Sequence, residues 1–142
     1  NLGNINSIAL NPLNVNEIAL AGTGSDKVAF SSDGGVSWQV LKNNLPNFKA
    51  KALVFYENDI ILGMNYGVYV LKEEDKTSWQ SFSNNLPNVR ITELEINSSL
   101  NKLYAATYGR GLWVANLEPL SLSSSKLNQF EFEVFPPCLV EQ

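Results

Sequence analysis

Two tyrosine–glycine pairs are the residues best suited to recognising a ligand. Tyr66 precedes Gly67, and Tyr108 begins the sequence Tyr-Gly-Arg-Gly that ends at Gly111. Exposed tyrosine rings stack on sugar rings, and the guanidinium group of Arg110 donates directional hydrogen bonds. The sequence therefore predicts a ligand-binding rim formed by Tyr66, Tyr108 and Arg110. The alternative is that both tyrosines cover seams between structural units and that the glycines only permit tight turns.

Groups that could catalyse a reaction are sparse. The chain has no histidine, which excludes imidazole metal sites and histidine-based triads, and its single cysteine is Cys138. The acidic run 73–75 is typical of a solvated turn. Glu93 and Glu95 share one face of a predicted strand and would point at a ligand only if that strand lined a channel. We therefore expect no catalytic residue, no metal and no cofactor in this chain.

The overall charge and hydropathy exclude two classes of partner. The formal net charge is −4, with 44% hydrophobic and 17% charged residues. This composition is globular, and its acidic balance argues against nucleic acid as a partner. No apolar run approaches the roughly 18 residues that a membrane helix needs. We expect neither nucleic-acid binding nor membrane insertion.

A tight turn is predicted at residues 31–38, where the sequence is Ser-Ser-Asp-Gly-Gly-Val-Ser-Trp. Asp33 can accept hydrogen bonds from backbone N–H groups that follow it. Gly34 and Gly35 permit the positive φ angles that such a turn needs. Trp38 provides a large ring that packs at the start of the next strand. We expect structural rather than catalytic roles for the residues of this pattern: Ser31, Asp33, Gly35, Ser37 and Trp38.

These residues belong to an internal repeat. Trp38-Gln39 and the sequence Asn-Asn-Leu-Pro-Asn from Asn43 recur 41 positions later, at Trp79-Gln80 and from Asn84. Each unit contains short runs of strand-forming residues, and Asn, Gly, Asp, Ser and Pro separate these runs. A period of about 40–50 residues is typical of propeller blades with four strands. The second unit has Glu74 at the position of Asp33, and we expect its turn to be looser.

The number of repeats indicates an incomplete ring. Residues 1–117 provide about three units, and the Ser-rich sequence after Leu117 leaves the third unit without a fourth strand. A closed propeller has roughly 4–8 blades. The predicted fold class is therefore all-β, a partial β-propeller of about three four-stranded antiparallel blades whose last blade lacks its fourth strand. The remaining blades are expected upstream.

Residues 1–117 resemble the Asp-box repeats, also called bacterial-neuraminidase-type repeats. Such repeats occur in sialidases, xyloglucanase-like glycoside hydrolases and sortilin-type receptor domains. The sequence 103–117 is similar to the last blade of secreted Bacteroidetes proteins that continue into a type IX secretion sorting domain. The resemblance implies a Ser-rich linker at 118–129, a truncated start of a sorting-type domain at 130–142, and an extracellular or bacterial cell-surface location. Pro137 and Cys138 depart from the Asn-Pro expected there.

Two functions are compatible with this resemblance. A sialidase site of this family uses three arginines, and the chain has only Arg90 and Arg110. The favoured hypothesis is a non-catalytic portion of a secreted or cell-surface propeller that binds carbohydrate or protein. Its expected partners are a glycan or protein ligand and the remaining blades. The alternative is the C-terminal part of a xyloglucanase- or sialidase-like glycoside hydrolase, with its catalytic residues in the missing blades.

Overall fold

A computed structural model describes residues 1–117 and 131–135, which form three four-stranded antiparallel sheets. Blade one contains β1 (Ile5–Leu10), β2 (Ile18–Gly22), β3 (Val28–Ser31) and β4 (Gln39–Val40). Blade two contains β5 (Ala50–Tyr56), β6 (Asp59–Met64), β7 (Val68–Leu71) and β8 (Trp79–Ser81). Blade three contains β9 (Ile91–Asn97), β10 (Lys102–Thr107), β11 (Leu112–Asn116) and β12 (Phe132–Phe135). The prediction of an all-β chain with three propeller-like blades is confirmed, and the sheets do not close into a ring.

Helical structure contributes little to the described residues. They contain one short 3₁₀ turn, Glu73–Asp75. No helix within 1–117 or 131–135 is long and apolar enough to cross a membrane.

The prediction that the last blade lacks its fourth strand is wrong. β12 pairs antiparallel with β11, from Leu112 opposite Phe135 to Ala115 opposite Phe132. Phe132 is buried, and its ring lies 5.7 Å from that of Phe82 in an edge-to-face arrangement. The strand gains both ladder hydrogen bonds and core contacts by joining blade three. The predicted linker at 118–129, and residues 130 and 136–142 of the predicted sorting-type segment, lie outside the described residues.

The three blades repeat in detail at their first strands. Each first strand has a register irregularity near its beginning, in the ladders of Ile5, Ala50 and Ile91 with the second strands. The residue before each of these strands accepts a backbone hydrogen bond from the end of the second strand. The pairs are Thr23 N to Asn4 O, Asn65 N to Lys49 O and Tyr108 N to Arg90 O, at 3.0, 3.0 and 2.9 Å. Ile5, Ala50 and Ile91 are therefore equivalent positions.

The core consists of two apolar layers between neighbouring blades. One layer joins blades one and two around Phe30, Leu53 and Leu62, and the other joins blades two and three around Ile61, Leu94 and Leu103. The first strands β1, β5 and β9 line a groove of about 420 Å³. Blades therefore stack face to face, and each blade depends on its neighbour for burial of its apolar side chains.

Candidate ligand-binding cleft

The turn at residues 31–38 is closed by its own side chains. The Asp33 carboxylate accepts hydrogen bonds from the Ser31 hydroxyl at 2.8 Å and from the Ser37 backbone N–H at 2.9 Å, and also binds the Ser37 hydroxyl. The Ser37 side chain is the main cause that lowers the pKa of Asp33 to about 2. Gly34 and Gly35 have φ angles of 74° and 94°. These contacts support a structural role for Asp33, because its oxygens are engaged within the turn.

The corresponding turn of blade two is held by a different carboxylate. Asp75, one position after Glu74, accepts hydrogen bonds from the backbone N–H of Thr77 at 3.1 Å and from the Thr77 hydroxyl. These bonds lower the pKa of Asp75. The buried Asp59 carboxylate accepts from the Glu73 backbone N–H at 2.8 Å and pairs with the Lys72 ammonium group. In this turn, Asp75 rather than Glu74 therefore accepts the hydrogen bonds that Asp33 accepts in blade one.

The two predicted tyrosines meet at one cleft. Tyr66 follows β6 and Tyr108 follows β10, so both lie at the opposite end of the sheets from the 31–38 turn. Between them is a cleft of about 220 Å³ at the seam of blades two and three. It is lined by Asn65, Tyr66, Asn88, Val89, Arg90 and Tyr108.

Both tyrosine rings are exposed and supported by a neighbour. The Tyr66 ring contacts the Phe48 ring edge to face, with centroids 5.1 Å apart. The guanidinium carbon of Arg90 lies 5.2 Å from the centroid of the Tyr108 ring, a distance typical of a cation–π contact. Gly67 has a φ of 90°, and a Cβ atom there would lie 3.1 Å from the Ser83 hydroxyl. This glycine therefore allows the tight turn that presents Tyr66.

One residue that lines the cleft, Asn65, has a buried polar atom without a partner in the described part of the chain. Asn65 Oδ1 is buried and has no hydrogen-bond partner among the described residues. Its backbone N–H is bound to the carbonyl of Lys49. A buried acceptor without a partner costs about 1–3 kcal/mol, and such groups in native proteins generally need a specific explanation.

The structure does not bring Arg110 into this cleft. Arg110 is exposed on the same turn as Tyr108, and its carbonyl accepts a hydrogen bond from the Trp113 indole at 2.9 Å. Arg90 provides the cation instead, a residue that the sequence analysis did not select. A sequence signal existed, because Lys49 and Arg90 are the basic residues that follow the Asn-Asn-Leu-Pro sequence in both units. Ligand binding by Tyr66, Tyr108 and Arg110 stays a prediction.

The chemistry of the cleft is that of recognition. Two aromatic rings, a guanidinium group and two amide side chains can stack on a ligand and exchange hydrogen bonds with it. None of its lining residues is acidic. Glu93 and Glu95 are exposed on β9 and line the separate groove between the first strands.

Comparison with known proteins indicates the fold alone. No family model matches the chain, and no curated protein matches it. Among solved structures, the β-propeller domain of Cps50 (Swd1) from Myceliophteria thermophila superposes with a TM-score of 0.68 at 15% identity, over 91% of this chain and 44% of that one. An ancestral GH74 enzyme matches with a TM-score of 0.59 at 18% identity, over 80% of this chain and 18% of that one. YCF48 bound to D1 peptide matches with a TM-score of 0.56 at 19% identity, over 78% and 35%.

These matches agree with the repeat period and the three sheets. The chain has the fold of part of a β-propeller and spans less than half the length of each of these three structures. A likeness of this kind does not extend to function, because one propeller scaffold carries many unrelated sites.

Proposed function

We propose that this chain is the non-catalytic, carbohydrate-binding part of a secreted or cell-surface β-propeller, and that the cleft between Tyr66 and Tyr108 is its ligand site. The observation that supports the proposal most directly is that two exposed tyrosine rings and the Arg90 guanidinium group line one cleft. The extracellular location rests on the resemblance to secreted Asp-box proteins.

Carbohydrate fits the cleft better than other ligand classes. A sugar ring has an apolar face that stacks on tyrosine and hydroxyl groups that serve as donors and acceptors. Sugar hydroxyl groups would exchange hydrogen bonds with the amide of the exposed Asn88, and an acceptor oxygen would bind the guanidinium group of Arg90. Both groups line the same cleft as the rings. A bound sugar would therefore form hydrogen bonds with these polar side chains and stack on the exposed tyrosine rings at the same time.

A glycan array followed by calorimetry on the selected glycan tests this site. Replacing Tyr108 with Ala removes an aromatic wall and should weaken binding roughly 5- to 150-fold, since an aromatic contact in a binding site contributes about 1–3 kcal/mol. Arg110→Ala is the matched control, because Arg110 is exposed on the same turn but does not line the cleft. Equal losses in both variants would place the ligand outside the cleft, on the rim as a whole. Binding of peptides but no glycan would contradict the carbohydrate assignment.

A hydrolase is the second candidate because Glu93 and Glu95 line the groove between the first strands. A glycoside hydrolase needs two carboxyl groups on either side of the scissile bond. The test is hydrolysis of β-glucans, including xyloglucan, by the chain together with whatever blades accompany it. If hydrolysis occurs and is lost in Glu93→Gln or Glu95→Gln, the non-catalytic assignment is wrong.

A further inference from the structure

Blade one has an exposed face whose counterparts in the other blades are buried. Trp38, Trp79 and Phe132 begin the outer-strand segment of blades one, two and three, and their exposed fractions are 44%, 3% and 1%. Ile8, Leu53 and Leu94 occupy equivalent positions on the first strands. Their exposed fractions are 63%, 4% and 3%. In blades two and three, the preceding blade covers these residues.

Two hydrogen bonds from the side chain of one asparagine in blade one bind the backbone of Trp79 in blade two. The Asn44 side chain donates from Nδ2 to the Trp79 carbonyl at 2.9 Å and accepts on Oδ1 from the Trp79 backbone N–H at 2.7 Å. The Trp79 indole N–H donates to the Leu41 carbonyl at 2.7 Å, again across the blade boundary. We call the Asn-Asn-Leu-Pro loop that makes such bonds the asparagine clip; it comprises residues 43–46 in blade one.

The second asparagine clip, residues 84–87, repeats the bond from the second asparagine to the carbonyl and binds the N–H through a backbone carbonyl instead. Asn85 Nδ2 donates to the Phe132 carbonyl at 3.0 Å, and the Phe132 backbone N–H donates to the Asn84 carbonyl at 2.9 Å. Both clips therefore bind the first residue of the outer strand in the following blade. The contact is a repeated feature of the fold rather than a single coincidence.

Trp38 occupies this position in blade one without such a contact. Its indole N–H turns back to the Gly35 carbonyl at 3.1 Å instead of crossing to another blade. Within 1–117 and 131–135, no amide side chain binds the backbone of Trp38. The exposed Ile8 and Leu10 extend the same open face.

We propose that this face of blade one binds a four-stranded blade whose final loop carries an Asn-Asn-Leu-Pro sequence. The second asparagine of that loop binds the backbone N–H and carbonyl of Trp38, as Asn44 binds Trp79. This interface would resemble those between blades one and two and between blades two and three. Ile8 and Leu10 provide its apolar part. The inference is independent of the ligand proposed for the cleft.

A second copy of this chain is a poorer occupant than such a blade. The Asn-Asn-Leu-Pro sequence occurs only at 43–46 and 84–87, and both clips are already engaged within the chain. Counted from Phe132, the positions that match Asn84 and Asn85 are Pro137 and Cys138. Neither side chain can provide the paired amide donor and acceptor.

Insertion of one further unit tests the proposal. A second copy of residues 5–49 is placed between Asn4 and Ile5, so that the inserted Lys49 precedes Ile5. This junction reproduces the native Lys49–Ala50 junction, because Asn4 and Lys49 accept equivalent backbone hydrogen bonds. The inserted clip then lies before the original Trp38. The inserted copy carries Trp38→Phe, so that the original Trp38 is the only tryptophan at this position and adds to Trp79 and Trp113 alone.

Two measurements are made on the original Trp38. The first is hydrogen exchange of its backbone N–H. The second is the ¹⁹F resonance of its ring after labelling with 5-fluorotryptophan, which is assigned by its disappearance when the original Trp38 is replaced with Phe. We expect exchange at Trp38 to slow by about tenfold or more, and its ring to lose solvent exposure. Asn44→Ala in the inserted copy should reverse the slowing. Asn43→Ala is the matched control and should leave most of it, because Asn43 bonds a different carbonyl, that of Lys76, at the native boundary.

Three outcomes would overturn the proposal. Trp38 could remain exposed and fast to exchange in the extended chain, whether or not the inserted unit folds. Asn44→Ala in the inserted copy could leave the protection intact, which would remove the clip from the interface. Protection of Trp38 in the unextended chain that rises with protein concentration would assign the face to a second copy.

Discussion

The equivalent turns at residues 31–38 and 72–79 place their final tryptophans in different surroundings. Both end in Ser-Trp, and in each an aspartate accepts hydrogen bonds from a hydroxyl and a backbone N–H that follow it. The tryptophans differ in burial, since Trp38 is 44% exposed and Trp79 is buried against blade one. The turn is therefore a local structure, whereas the contribution of its tryptophan depends on the neighbouring blade.

The largest expected difference concerns the two tryptophans. Trp79→Ala should lower the free energy of unfolding by about 3–5 kcal/mol, because it leaves a cavity between blades and removes the bond to the Leu41 carbonyl. Trp38→Ala should cost about 1 kcal/mol, because much of that side chain is already in water. Urea denaturation measures both. Trp79→Phe should recover most of the loss, since Phe132 fills the equivalent position; equal costs for Trp38 and Trp79 would contradict the comparison.

The asparagine clip should show the next largest effect. Asn44→Ala removes both bonds to the Trp79 backbone, and should cost about 2 kcal/mol because the N–H that loses its partner is beside a buried side chain. Asn43→Ala removes one exposed bond to the Lys76 carbonyl and should cost less than about 1 kcal/mol. Both values come from the same denaturation series. A larger loss for Asn43 than for Asn44 would mean that the clip acts through a different residue.

The two aspartates should differ modestly. Asp33→Ala should lower the melting temperature more than Asp75→Ala, because Asp33 binds Ser31 and two groups of Ser37, whereas Asp75 binds only Thr77. Ligand binding by the folded protein should be unchanged in both variants. Loss of binding in Asp33→Ala at an unchanged melting temperature would show that this carboxylate recognises ligand.

The smallest expected effect is the pH dependence of the 31–38 turn. The pKa of Asp33 is lowered from 3.8 to about 2 in the folded chain. Stability from this group is therefore complete above its unfolded pKa and is lost as the pH falls from about 4 to about 2. The melting temperature should fall further in the native protein than in Asp33→Asn over this range. Parallel curves would show that the turn bonds do not depend on the charge of Asp33.

The sequence determined the features that depend on neighbouring residues. The 41-residue offset of the tryptophans predicted four-stranded units, and the Asp-Gly-Gly sequence at 33–35 predicted a turn with positive φ angles. Side-chain bonds to nearby backbone groups and alternating strand patterns are encoded within a few residues. For the same reason, Tyr66 and Tyr108 could be selected from their position in equivalent turns.

Only the tertiary structure decided which distant residues meet. It placed Phe132–Phe135 in blade three, although a Ser-rich segment separates that strand from Leu117. It also placed Arg90 rather than Arg110 beside Tyr108 in the cleft, and it buried Trp79 while leaving Trp38 exposed. Each result depends on packing between blades, and contacts of that kind arise from shape and burial over long sequence separations rather than from local sequence.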